Sequence, residues 1–166
     1  MSMQREAPVQ GPSDPPRAAP GAPTQRVIEF FESLCPASLP RIGQIYRADA
    51  SFKDPFNEVT GVDAITAIFR HMFETTEDPR FTVLDVIDDA GQCFLTWNFH
   101  FRSIGLRRRD WMIHGASRIE FDSDGLVRRH RDYWDAAEEF YEALPLLGAV
   151  LRTIKRQLRA AARESR

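Results

Sequence analysis

The chain has 166 residues, 43% hydrophobic and 28% charged, enough for one well-buried core and too few for two ordinary ones. Lys and Arg total 22 against 24 Asp and Glu, so the formal net charge of -2 provides no global field for nucleic acid or another polyanion. Cys35 and Cys93 make neither a disulfide framework nor a zinc set, the N-terminus lacks an apolar signal core, and no stretch approaches the ~18 continuous apolar residues of a membrane helix, so a cytoplasmic location is expected.

Residues 1–23 carry Pro8, Pro12, Pro15, Pro16, Pro20 and Pro23 among Ala, Gly and Gln, and are expected to form a disordered leader that buries too little apolar surface to offset chain entropy. The spacing of Val27, Ile28, Phe30, Phe31 and Leu34 predicts a helix from Thr24. Ser38 is placed to cap a second helix carrying Leu39, Ile42, Ile45 and Tyr46. A first strand is expected at 50–53, a turn over 54–61, and a third helix over 62–73 with Ile65, Ile68, Phe69 and Met72 on one side. The period then changes to two, predicting strands at 81–87, 93–102, 111–121 and 127–133. Asp88-Asp89-Ala90-Gly91 and Asp122-Ser123-Asp124-Gly125 suit hairpin reversals, so these strands are expected to form an antiparallel meander. A helical pattern resumes at Ala136 and is interrupted at Pro145; residues 144–166 read as a basic amphipathic helix. Its apolar stripe, Leu147, Leu151, Ile154 and Leu158, is expected to pack on its own domain or close a cavity mouth rather than touch a membrane.

Strand alternation places Leu95, Trp97, Phe99 and Phe101 on one face of the 93–102 strand, and Ser117 inward on the 111–121 strand among Trp111, Ile113, Gly115, Ile119 and Phe121. Met112, His114, Arg118 and Glu120 fall on the far side. The last strand divides into His130, Asp132 and Trp134 with Arg128 against Val127, Arg129, Arg131 and Tyr133, and alternation alone does not choose between these faces.

The joint Tyr46-Arg47-Ala48-Asp49-Ala50-Ser51-Phe52-Lys53-Asp54-Pro55, the hairpin at 121–127 and the segment Arg131-Asp132-Tyr133-Trp134-Asp135 together resemble the SnoaL-like, nuclear transport factor 2-like superfamily, which includes ketosteroid isomerase and limonene epoxide hydrolase. The resemblance covers residues 24–143. It implies a cone-shaped α+β fold, a strongly bent, mainly antiparallel sheet wrapped around N-terminal helices in the manner of a cystatin-like roll, and a homodimer. Asp54 stands where ketosteroid isomerase carries its general base, but Phe30 and Ser117 stand at its two donor positions. Phe30 has no proton to give and Ser117 is a weaker donor than an undissociated carboxylic acid, so steroid isomerisation by that route is not expected. In limonene epoxide hydrolase Asp132 takes the place of one triad carboxylate, while Trp97 and Phe99 replace the triad's arginine and second aspartate, which breaks that triad too. The same registration turns His130, Asp132 and Trp134 inward.

These expectations gather Asp54, His130 and Asp132 against Phe30, Leu95, Trp97, Phe99, Ser117 and Trp134. Asp54 is cast as proton acceptor and His130 with Asp132 as the proton-bearing pair, acting without a cofactor on a small, mostly apolar ligand as an isomerase, cyclase or hydrolase. The competing reading is a non-catalytic ligand-binding or dimeric interaction module, in which Asp54 caps the turn before Phe56 and Asp132 pairs with Arg102, Arg129 or Arg131. No metal is expected, since His100 and His114 on the outer face lack a third ligand and His71 lies in a helix beside Arg70. Arg107, Arg108 and Arg109 with Arg102 read as a solvated hairpin rather than a nucleic-acid groove. Phosphate loop, nucleophile elbow and HExxH patterns are absent, which leaves nucleotide, serine-hydrolase and metalloprotease readings without support.

Overall fold

Helix α1 (Ala22–Glu32) opens the fold in a computed structural model that describes residues 19–104, 108–139 and 153. The expected leader up to residue 18 and, apart from Thr153, the expected C-terminal helix lie outside the described residues. Helix α1 starts two residues earlier than its apolar spacing implies because Pro23 is tolerated in a first turn, where its missing N–H has no intrahelical partner to lose. No side chain of its own caps it. Asp88 does so from across the fold, accepting the Gly21 N–H and, at 2.9 Å, the Thr24 hydroxyl, which sets a carboxylate at the positive end of the helix dipole.

The second helix is a 3₁₀ helix over Pro36–Gln44 with Cys35 as its N-cap, not an α-helix capped by Ser38. Pro36 and Pro40 lie one α-helical turn apart, and Pro40 has no N–H to offer the Pro36 carbonyl, so the chain winds more tightly. Ser38 serves the cap from within: its hydroxyl accepts the Cys35 N–H at 3.0 Å and donates to the Cys35 carbonyl at 2.9 Å. Tyr46, assigned to this helix on spacing, instead begins strand β1 (Tyr46–Lys53), which is longer than the 50–53 expectation. Within the expected turn a short strand β2 (Glu58–Thr60) pairs antiparallel with β1. Helix α2 (Val62–Thr75) then buries Ile65 and Phe69.

Strands β3 (Thr76–Asp89), β4 (Gln92–Ser103), β5 (Asp110–Phe121) and β6 (Val127–Tyr133) form the expected antiparallel meander, and a turn of helix α3 (Ala136–Glu139) follows. The sheet order is β2-β1-β6-β5-β4-β3, with β1 and β6 parallel, so the joint after β1 is brought beside the last strand. Strand β3 begins before its expected start because Asp78 at φ 49° and Pro79 lie at an irregularity in the pairing, where a sequence pattern reads as loop. Among the described residues no helix is long and apolar enough to cross a membrane.

Bulges decide which side chains face the helices. On β6, Val127 pairs with Phe121 and Arg129 with Glu120, leaving Arg128 as an extra residue. Val127 and His130, which strict alternation assigns to opposite faces, are therefore both buried, at 0% and 4% exposure. On β3 the extra residue is Leu84, so Phe81, Val83 and Val86 all pack against the core. Glu120 points to the far side as expected yet is buried, because Arg118, Arg128 and Arg129 close over it at 3.3, 3.0 and 3.5 Å.

The Trp97 indole lies across Gly115, its cross-strand partner, and a Cβ added there would come within 2.9 Å of three ring carbons. Gly115→Ala is expected to lower stability by roughly 1–3 kcal/mol, as overpacking against a large buried ring does. Urea denaturation reads the change, and an unaltered midpoint would show that the indole can shift freely.

Candidate functional site

The site is built on a cross-strand row. Leu95, Ser117 and Asp132 lie directly opposite one another on β4, β5 and β6, facing the helices, and Trp97 opposite Gly115 is the next row. The bulge at Arg128 adds His130 to the same interior. Tyr46 reaches it from β1, whose first residue pairs with Val127.

These residues form one hydrogen-bond chain. The Trp97 indole N–H donates to Ser117 Oγ at 2.8 Å, and Ser117 donates to Asp132 Oδ1 at 2.5 Å. His130 Nε2 meets the same Oδ1 at 2.8 Å, while Tyr46 Oη meets His130 Nδ1 at 2.5 Å. Counting donors assigns the protons. Indole N–H can only donate, so Ser117 accepts from it and gives its own proton to Asp132. Tyr46 is 1% exposed and has no other hydrogen-bond partner among the described residues, so its proton goes to Nδ1 and His130 is neutral with its proton on Nε2. Burial, and secondarily the negative Asp132, hold the Tyr46 phenol well above its ordinary pKa of 10.0. The imidazole is further fixed by edge contacts with Phe52 and Phe31 at 5.0 and 5.6 Å and by stacking on Tyr46.

Asp132 borders two cavities. The inner one, about 30 Å³, has room for roughly one water and is walled by Val27, Phe31, Leu95, Ser117 and His130 among others. The outer one, about 260 Å³, is walled by Phe99, Phe101, Ile113 and Trp134 together with α2 side chains. Phe69, Phe81, Trp97 and Asp132 border both. Asp132 Oδ1 takes both hydrogen bonds; among the described residues Oδ2 takes none, and the side chain keeps 17% exposure.

Asp54 lies on the outer cavity too, but as a turn cap. Its Oδ1 accepts the N–H groups of Phe56 and Asn57 at 2.7 and 2.6 Å, and Asn57 Nδ2 reaches Oδ1 and Oδ2 at 3.1 and 2.9 Å. The arginines weighed as partners of Asp132 go elsewhere: Arg102 to Asp110 and Glu77, Arg129 to Glu120, and Arg131 over the Tyr133 ring at 5.0 Å. Phe30 is buried but borders a separate hollow with Arg26 and Arg41; its neighbour Phe31 is the α1 ring at the inner cavity, one helical step round. Leu95, Trp97, Phe99, Ser117 and Trp134 all border one cavity or the other, with Trp134 edge-on to Phe56 at 5.2 Å.

Sequence reasoning missed Tyr46, Phe31 and Phe81. The only local signal for Tyr46 was an apolar position just before the charged run Arg47-Ala48-Asp49, and helical spacing absorbed it. His71 stands at the outer cavity, and His114 is on the outer face with Nδ1 3.0 Å from Asn98 Oδ1. Among the described residues no group of three His, Cys, Asp or Glu side chains is arranged to hold a metal.

Residues 27–130 match the SnoaL-like domain family, and Asp132 and Trp134 fall just past that span. No curated protein matches the chain. Among solved structures, TsrD from Streptomyces laurentii superposes with a TM-score of 0.64 at 19% identity, covering 80% of this chain and 99% of its own. A candidate SnoaL-like polyketide cyclase from Shewanella putrefaciens gives 0.62 at 15% identity, covering 72% and 96%. A protein of ketosteroid isomerase-like fold from Catenulispora acidiphila, in complex with trimethylamine, gives 0.63 at 10% identity, covering 73% and 91%. At these identities the likeness is one of fold.

Tyr46→Phe removes the only donor to His130 Nδ1 among the described residues and is expected to destabilise by roughly 1–3 kcal/mol. Because the native phenol pKa is raised, the Tyr46 contribution is fully present below pH 10.0 and lost as pH rises through the native value. Urea denaturation of both proteins from pH 7 to pH 11 reads this; a stability difference that stays constant above pH 10 would contradict it.

Proposed function

The chain belongs to the SnoaL-like domain family, and on that premise we propose that it acts on a small, mostly apolar molecule by cofactor-independent acid–base chemistry, with Asp132 as the proton acceptor. One observation carries this reading: a carboxylate anchored through Oδ1 by two donors, with Oδ2 unpartnered among the described residues, at the wall of an apolar cavity. A base needs a lone pair that the protein has not already used. Asp54, first cast as the acceptor, has both oxygens engaged by its own turn, so that role passes to Asp132.

The chemistry suits proton removal from carbon beside a carbonyl. Oδ2 accepts the proton, and the carboxyl group then returns it to another atom of the same bound molecule, or waits while the enolate attacks an internal carbonyl and gives the proton to the alkoxide so formed. The first outcome is an isomerisation and the second a ring closure; both need one positioned base and a cavity that excludes water. His130 is a positioning residue here, since its Nε2–H holds Oδ1 and Tyr46 fixes its tautomer. A solved relative of the same fold holds trimethylamine, in keeping with a container for small molecules. The turn-capping role of Asp54 favours the second reading, a binding module without turnover, at that residue alone.

The test is deuterium uptake at the α-carbons of bicyclic ketones such as 2-tetralone, followed by proton NMR in D₂O. Wild-type protein is expected to accelerate uptake, Asp132→Asn to cut that acceleration by about 10²-fold, and Asp54→Asn to change it far less. Equal rates in wild type and Asp132→Asn would leave the binding-module reading standing.

A further inference from the structure

The outer cavity is walled by aromatic rings and holds two carboxylates, Asp54 and Asp132, with no lysine or arginine in its lining among the described residues; its one imidazole, His71, lies 4.0 Å from Glu74. His130 is neutral by the proton count above, so it does not cancel the charge of Asp132. Lys53, beside the mouth, is ion-paired with Glu58, and the Arg131 guanidinium lies over Tyr133. A neutral ligand entering this volume would strip water from two negative groups and return no charge; an anion would add repulsion. A cation relieves both costs.

The rings strengthen that choice. At the mouth, where the cavity meets a surface hollow over the ends of β1 and β6, Asp54, Asp132 and Trp134 border both spaces. Trp134 is half-buried, in a T-shaped contact with Phe56 at 5.2 Å, and its indole shares both linings with the two carboxylates. Indole is the best aromatic partner for an organic cation, and the attraction grows as water is excluded. Asp54, held still by its turn, supplies a fixed negative charge at that point without having to serve as a base.

We propose that the molecule this cavity takes carries a cationic nitrogen, a tertiary or quaternary ammonium group, recognised at the mouth by Asp54 and the Trp134 indole while its reacting carbon lies deeper, at Asp132. The inference rests on the cavity reading above and gives Asp54 a binding role in place of a chemical one.

The test compares choline with 3,3-dimethylbutan-1-ol, which has the same shape with carbon in place of nitrogen and no charge, by NMR titration of the full chain. Wild-type protein is expected to bind choline about tenfold more tightly. Asp54→Asn is expected to erase that preference by weakening choline binding more than alcohol binding, and Trp134→Leu, which leaves the turn alone, to reduce it several-fold. Equal binding of both probes by wild type would overturn the cation proposal and leave the cavity reading intact. A preference that survives both substitutions would place the cation elsewhere and overturn it as well, and no binding of either probe would overturn both readings.

Discussion

The carboxylate of Asp132 is held in the interior by hydrogen bonds drawn from three other strands, and the arrangement of this end of the fold follows from that requirement. Burying a charge costs several kcal/mol unless donors replace the lost water. Ser117 from β5 and His130 from β6 supply them directly; Trp97 from β4 and Tyr46 from β1 supply them at one remove. Each member has a defined donor or acceptor role, so deleting one strands its neighbour in a low-dielectric interior, where the penalty exceeds the value of the bond itself. The chain of bonds also runs across the pairings β4–β5, β5–β6 and β6–β1, which ties the polar interior to the register of the sheet.

That register is where the sequence was hardest to read. The helix over 62–75 and the strands of the meander announce themselves through periods of 3.6 and 2, and β6 begins and ends at the residues its alternation implies. An irregularity in pairing erases such a signal, because one extra residue exchanges the faces on either side of it. Val127 and His130 point the same way only because Arg128 is unpaired, and the four residues of β1 between Tyr46 and Ser51 face a single residue of β6. Alternation cannot show this, so the face of His130 followed from family resemblance and Tyr46 was read into a helix. Leu95, Trp97 and Ser117 were legible since β4 and β5 pair without interruption from Gln92 to Arg102.

The cavity exists because its walls cannot collapse onto one another. Phe81, Phe99, Phe101 and Trp111 stack in sequence, with centroid separations of 4.3, 4.9 and 6.2 Å, into a flat ribbon along the sheet. Rings engaged face to face with their neighbours have little reason to rotate into the space beside them. Opposite, α2 offers Phe69 and the flexible Met72, which leave the volume unfilled. Gly115 belongs to the same economy of space: a Cβ there would collide with the Trp97 indole, whose N–H is committed to Ser117.

Two aspartates border that cavity, and their neighbours separate their roles more sharply than their chemistry does. Asp54 precedes a proline in a turn, where its nearest donors are the backbone N–H groups two and three residues ahead, and a carboxylate so placed will cap the turn in any fold. Asp132 lies in a strand, where the backbone N–H groups are committed to the sheet, so its partners must come from side chains that the fold chooses to supply. Local sequence therefore made Asp54 conspicuous and explains what it does, whereas the environment of Asp132 depends on contacts 15 and 84 residues away, Ser117 to Asp132 and Tyr46 to His130. Apart from His130, two residues before it, the groups that shape the surroundings of Asp132 are distant in sequence and therefore invisible to pattern, which is why the local signal falls on the acid beside the proline.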